Sequence, residues 1–172
     1  MIRVLYVTRA RLSFTRAHSR NILKTAEYLS REAGISVEVF SSAAEPRSAD
    51  EIVRLKNITH PIPLDVAVSK RSLFAILYHR RHTFDVFYFR DPKLMLVACF
   101  ARFLFRKRVV FEIHGNKEWF SLIPLWLGSY YVSHGVLFIT KRLKEWYNPR
   151  KKPFGITHTN APDDEMFPHD DT

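Results

Sequence analysis

The side chains best suited to chemistry gather where apolar runs end. Phe111-Glu112-Ile113-His114-Gly115 puts an imidazole at the end of a buried strand, beside a glycine that leaves room for a ligand. An imidazole exchanges protons and hydrogen bonds near neutral pH, which makes His114 the sharpest catalytic candidate; a hydrogen bond to a neighbouring loop carbonyl is its structural alternative. Glu112 is assigned to the opposite strand face. The other strand ends are basic or polar. Thr8, Arg9, Arg11, Arg16 and His18 follow the first apolar run, and Arg90 and Asp91 follow the fourth. Asn116, Lys117 and Glu118 continue past His114, and Thr140, Lys141 and Arg142 follow the sixth run. Guanidinium and ammonium groups converging on one rim would bind an anionic or hydroxyl-rich ligand. Loops of a basic protein are basic in any case, so it is the convergence that points to a site.

Several chemistries lack their residues. The five glycines, Gly34, Gly115, Gly128, Gly135 and Gly155, form no Gly-rich loop after the first strand and no Gly-x-x-x-x-Gly-Lys, which argues against a dinucleotide-dependent dehydrogenase. No nucleophile elbow is present, and Cys99, the one cysteine, lies in an apolar run without a base partner and reads as core. His79 and His82 lie in a basic helix, and His60, His134, His158 and His169 lack metal-ligand spacing. No metal and no cofactor are expected.

The elements that must position these residues alternate regularly. Ile2 to Val7 reads as a buried strand, Thr15 to Glu32 as an amphipathic helix with Ile22, Ala26, Leu29 and Ala33 on one side and Gly34 as its stop, and Ile35 to Phe40 as a second strand. Ile58 to Leu64, broken by Pro61 and Pro63, fits an edge strand or extended connection. A helix near Ser69 to His82, a strand from Phe84 to Phe89, a nearly all-apolar helix from Pro92 to Arg106 and a strand from Arg108 to Ile113 follow. Trp119 to Tyr131 reads as helix interrupted at Pro124, Gly135 to Ile139 as the sixth strand, Lys141 to Tyr147 as a short helix and Phe154 to Thr159 as the last strand. This predicts a doubly wound, mostly parallel, Rossmann-like α/β sheet of about seven strands with helices on both faces. In such a sheet ligands bind beyond the carboxyl ends of the strands, where the polar groups above fall.

Charge narrows the partner. The 172 residues carry 27 Lys plus Arg against 17 Asp plus Glu, a net charge of +10, and 47% hydrophobic content, enough to bury a core and to exclude a disordered basic tail. Lys70 to Arg108 holds ten basic and two acidic residues, whereas Asp163 to Asp171 is acidic. Two helices, 70–82 and 92–108, interleave Lys and Arg with apolar residues, as surfaces that lie on anionic lipid do. Each alone reads better as a helix that covers the sheet while its Lys and Arg stems reach water. Taken together, with Trp119, Phe120, Trp126, Tyr130 and Tyr131 as interfacial aromatics, they point to a membrane surface. No run is long enough to span a bilayer.

The segments Ile2 to Thr8, Val109 to Gly115, Gly135 to Leu143 and Thr159-Asn160-Ala161-Pro162-Asp163 to Phe167-Pro168 resemble the N-terminal domain of a glycosyltransferase family 4 enzyme with the GT-B fold. The last segment is similar to the family's Asn-Gly-Val-Asp-x-x-x-Phe-x-Pro stretch: Asn160, Asp163 and Phe167 match, Ala161 and Pro162 replace the glycine and valine, and Pro168 sits one place early. The resemblance implies a retaining, metal-independent transfer of a sugar from a nucleotide-sugar to a glycan or lipid-linked acceptor in cell-envelope glycan synthesis. It implies residues 1–160 as the acceptor-side domain and 161–172 as the start of a linker to a nucleotide-binding domain, with the isolated domain inactive. His114 matches the family histidine facing the transferred sugar, while Arg9-Ala10-Arg11 stands where many members carry a Gly-Gly pair. The site so read comprises His114 as the catalytic group, with Arg9, Arg16, His18, Arg90, Asp91, Asn116, Lys117, Glu118, Thr140 and Lys141 binding substrate. A cytoplasmic enzyme, peripheral on the inner face of the membrane, follows as the expectation. The alternatives are a basic nucleic-acid-binding module, which lacks any recognised motif, and another nucleotide-sugar enzyme such as an epimerase.

Overall fold

Strand β1 (Ile2–Thr8) alternates two kinds of burial: Leu5 and Val7 feed one apolar core, Val4 and Tyr6 the other. A parallel strand flanked by helices on both faces has no solvent side, so its sequence reads as continuously apolar. The structure, a computed structural model, describes residues 1–9, 12, 17–41, 62–66, 73–113, 131–138, 145 and 154–156. Within them β2 (Ile35–Ser41), β3 (Leu64–Val66), β4 (Val86–Phe89), β5 (Arg108–Ile113), β6 (Gly135–Phe138) and β7 (Phe154–Ile156) join β1 in one sheet of order β3-β2-β1-β4-β5-β6-β7. Every pairing is parallel. Five longer strands form the body, and the three-residue β3 and β7 are the edges.

The order carries the functional geometry. The chain runs outward from β1 through β2 to β3, then returns to the other side of β1 with β4. Connections leave the carboxyl ends of β1 and β4 in opposite directions, which opens a crevice there. Register fixes its floor: Tyr6 pairs with Tyr88 and Val7 with Phe89 across β1 and β4, and Tyr88 pairs with Val110 across β4 and β5.

One face is covered by α1 (Ala17–Arg31), whose Ile22 and Ala26 pack on Val4, Tyr6, Val37, Val39 and Tyr88. Glu27 is buried in this helix with Lys24 at 3.1 Å and Arg31 at 2.9 Å as ion-pair partners. Gly34, at φ 81°, ends the turn after α1 in the left-handed region that glycine enters without strain. Ala33, expected on the apolar side, lies exposed in that turn, because the helix has already stopped at Arg31.

The other face takes Leu77 of α2 (Leu73–Arg80) and Leu94, Ala98 and Ala101 from the 92–104 segment. That segment is a 3-10 turn (Pro92–Leu94), then α3 (Met95–Cys99), then a π-turn (Phe100–Leu104) closed by Phe105 N–H to Phe100 O at 3.0 Å. Arg106, at φ 54°, stops it, with Lys107 N–H bonded back to Ala101 O at 2.9 Å. The helix expected to run to Arg106 therefore ends at Leu104. Cys99 packs against this core, and burial pushes its thiol up, as expected of an inert thiol. The expected helices at 119–131 and 141–147 lie almost wholly outside the described residues.

Candidate active site at the β1–β4 crevice

Three polar residues interrupt otherwise apolar strands on the α1 face, and the sheet order makes them neighbours. Tyr6 on β1 and Tyr88 on β4 stack with ring centroids 4.5 Å apart and planes 20° from parallel. Both hydroxyls donate to the same Glu112 oxygen, Oε2, at 2.9 Å from Tyr6 and 2.6 Å from Tyr88. Glu112 sits on β5, 1% exposed. Buried polar groups must find partners inside the fold, and a carboxylate accepting two phenolic protons meets that demand with charge-assisted bonds. Burial first, and the Glu112 charge second, push both tyrosine hydroxyls well above their ordinary pKa. The phenols therefore keep their protons and act as donors.

Arg90, the residue after β4, completes the cluster. Its positive charge acts on both phenols and opposes the upward push on their hydroxyls. Its backbone N–H reaches Val7 O at 3.4 Å, which ties the β4 end to β1. Arg90 is only partly buried, so a cation stands at the end of β4 next to the buried cluster. Beside it, Thr8 pairs in register with Ser41, both buried, and Leu12 packs over the tyrosines.

The expected site residues divide. Arg9 lies exposed just past β1, and Arg90 and Asp91 lie just past β4. Asp91 serves the backbone, because its Oδ1 accepts the Lys93 N–H and its carbonyl accepts the Leu94 N–H, both at 2.9 Å, which starts the 3-10 turn. His18 falls in the first turn of α1. Arg16, His114, Asn116, Lys117, Glu118, Thr140 and Lys141 lie outside the described residues. Glu112, Tyr6 and Tyr88 were missed as site residues. The available signal was the charge itself, a carboxylate inside the run Val109-Val110-Phe111-Glu112-Ile113.

A second surface lies on the opposite sheet face. The 92–104 segment turns small Ala98 and Ala101 inward and leaves Leu96 at 73%, Phe103 at 63%, Leu104 at 64% and Phe100 at 42% exposure. Phe100 meets Phe74 edge-on at 4.3 Å, which links the stripe to the start of α2. Lys93, Arg106 and Arg108 are exposed near its ends. The basic character expected of 70–82 is partly internal: Arg80 forms an ion pair with Glu38 and stacks over Phe84 at 4.9 Å, and Arg81 stacks over Tyr78 at 4.0 Å. Among the described residues no helix is long and apolar enough to cross a membrane.

Comparison with known proteins yields a family and a fold. The family model described as Glycosyltransferase Family 4 matches residues 19–151. Two crystal structures of Anabaena Alr3699/HepE, one in complex with UDP and glucose and one with UDP-glucose, superpose with TM-scores of 0.62 and 0.61, each at 15% identity and over 91% of this chain. They are matched over 44% and 43% of their own length, so this chain spans less than half of them. At that identity the likeness is one of fold. No curated protein matches the sequence.

Proposed function

The chain belongs to glycosyltransferase family 4, and from that premise we propose that it is the acceptor-side domain of a retaining hexosyltransferase that takes its sugar from a nucleotide-sugar. The observation that carries the reading is the crevice where β1 and β4 diverge, with the partly buried Arg90 at the end of β4 beside it. Sugar transfer from a nucleotide-sugar releases a diphosphate, and a preorganised cation stabilises the charge that develops on it or holds an anionic acceptor in place. The ligands of Alr3699/HepE, UDP and UDP-glucose, support a nucleotide-sugar donor.

In this reading His114 hydrogen-bonds the transferred sugar, Arg9, Arg16, His18 and Lys117 bind a glycan or lipid-linked acceptor, and no metal takes part. Residues 161–172 lead toward the nucleotide-binding half, and the acceptor-side half alone is inactive. The exposed Leu96, Phe100, Phe103 and Leu104, flanked by basic residues, support peripheral attachment to the inner face of an anionic membrane. His114→Ala in the full-length enzyme should lower sugar transfer from UDP-glucose by roughly a hundred-fold or more, the scale of losing one transition-state hydrogen bond. Near-normal transfer would remove His114 from its role.

A further inference from the structure

The family assignment gives Glu112 no role. It is charged, fully buried on a central strand, and bonded to two tyrosines whose rings stack on each other rather than on a ligand. Filling this layer with phenylalanine and leucine would give an equal or better core, since buried charges seldom improve stability over well-packed apolar residues. The arrangement has a direction, however. Hydrogen bonds run from the Tyr6 and Tyr88 hydroxyls to one oxygen of Glu112, and Arg90, tied to β1 through its backbone N–H, follows the Phe89–Phe111 pair that sets β4 against the Glu112 strand and acts with its charge on both phenols. A phenol that donates a hydrogen bond to a carboxylate becomes a better acceptor for the next donor, so the influence of the buried negative charge extends outward toward the arginine. An unrestrained arginine at a rim gives up rotamer freedom when a ligand fixes it. One already fixed does not.

We propose that Glu112 is a positioning residue: through Tyr6 and Tyr88 it holds the Arg90 fork at the β1–β4 crevice, set to receive a phosphate-bearing substrate. Arg90 is only partly buried, and it follows β4 at the place where the connections of β1 and β4 diverge. The ligand chemistry is that of a diphosphate, which a planar fork recognises by paired hydrogen bonds. Either a nucleotide diphosphate or a prenyl-linked diphosphate acceptor supplies it. The proposal rests on the reading of Arg90 as a substrate-binding residue.

The test uses this chain labelled at arginine, with the Arg90 guanidinium signals assigned by Arg90→Lys and inorganic pyrophosphate as the common probe. In the unaltered protein Arg90 should show slow guanidinium rotation with separate Nη signals. Tyr6→Phe and Glu112→Gln should merge those signals and weaken pyrophosphate binding roughly ten-fold, the scale of one charge-assisted hydrogen bond. Tyr88→Phe should do the same to a smaller degree, and it carries the test with Tyr6→Phe if Glu112→Gln does not fold. Unchanged Arg90 signals in Tyr6→Phe and Tyr88→Phe would overturn the positioning role. Merged signals with pyrophosphate affinity unchanged, in these variants and in Arg90→Ala alike, would instead overturn the substrate-binding reading of Arg90. Geranyl diphosphate and UDP separate the two sources, because whichever gains affinity over pyrophosphate contains the group that the crevice accepts.

Discussion

Two neighbouring regions of this domain invert the usual partition of polar and apolar groups, in opposite senses. At the carboxyl edge of β1, β4 and β5 a carboxylate and two hydroxyls are buried under α1; on the outer side of the 92–104 segment four large apolar side chains face solvent. The first inversion is closed at its two hydroxyls, which share an acceptor in Glu112. The second is not closed, because Leu96, Phe103 and Leu104 keep most of their surface exposed. A satisfied buried charge fixes geometry, whereas an uncovered apolar stripe calls for something outside the chain. In the reading proposed above, the crevice is a place for precision and the stripe a place for attachment.

The sharpest way to break this contrast is to remove the hub. Glu112→Ala leaves two buried hydroxyls without their acceptor and should destabilise the domain by about 3 kcal/mol, read from urea unfolding. A loss under about 1 kcal/mol would mean that the hydroxyls find other partners, and the crevice would lose its claim to be built around Glu112. The same cluster makes a pH prediction. The ordinary tyrosine pKa is 10.0, and both phenols are raised above it in the folded state. A raised pKa means that the folded chain holds its protons where the unfolded chain has begun to release them. The stability is therefore whole below pH 10 and is lost as the pH rises above it, by about 1.4 kcal/mol per pH unit for each tyrosine. Tyr6→Phe with Tyr88→Phe should flatten that alkaline decline; an equal slope in the double variant would show that the phenols ionise freely.

Much of this architecture was legible in the chain, and what was not has a physical cause. The alternation of apolar runs announced the five longer strands, and Gly34 and Pro92 marked the turn after α1 and the start of the 92–104 segment, because those signals are local; β3, at Leu64–Val66, begins only at the end of the 58–64 segment, which Pro61 and Pro63 restrict to an edge strand or extended connection. Strand order is not local. Glu112 stands 106 residues from Tyr6 and 24 from Tyr88, and nothing joins them until β4 inserts between β1 and β5. Without that order Glu112 could only be assigned a strand face, whereas the structure makes it the centre of a cluster. The rim of cations was legible through Arg9 and Arg90, but Asp91, grouped with them by position, caps a turn. The helical period of 92–104 was also plain, yet its sidedness was not. Hydropathy alone would turn Leu96 and Phe103 inward; the segment instead turns Leu94, Ala98 and Ala101 to the sheet.

That sidedness gives the next test on the attachment surface. Ala101 is fully buried among the apolar residues of the sheet, and Ala101→Leu adds volume where there is no room. It should cost about 2 kcal/mol of stability, measured by thermal unfolding, as overpacking does in filled cores. Tolerance within about 0.5 kcal/mol would show slack beneath the helix and leave room for the segment to rotate its large residues inward.

The smallest expected change in stability belongs to the stripe, and it separates attachment from folding most cleanly. Phe103→Ser combined with Leu104→Ser removes two large side chains that contribute little to the core, so unfolding should shift by no more than about 0.5 kcal/mol. The same variant removes much of the apolar surface that an anionic membrane would cover, while leaving Lys93, Arg106 and Arg108 in place. Each buried apolar side chain is worth about 1.5–3 kcal/mol on transfer from water, so co-flotation with phosphatidylglycerol vesicles should fall at least ten-fold. Vesicles of phosphatidylcholine alone should carry neither protein, since the basic flank then has no partner. Equal flotation of the variant and the parent would assign binding to charge alone. A large loss of stability would place the stripe within the core and end the contrast on which the two regions were distinguished.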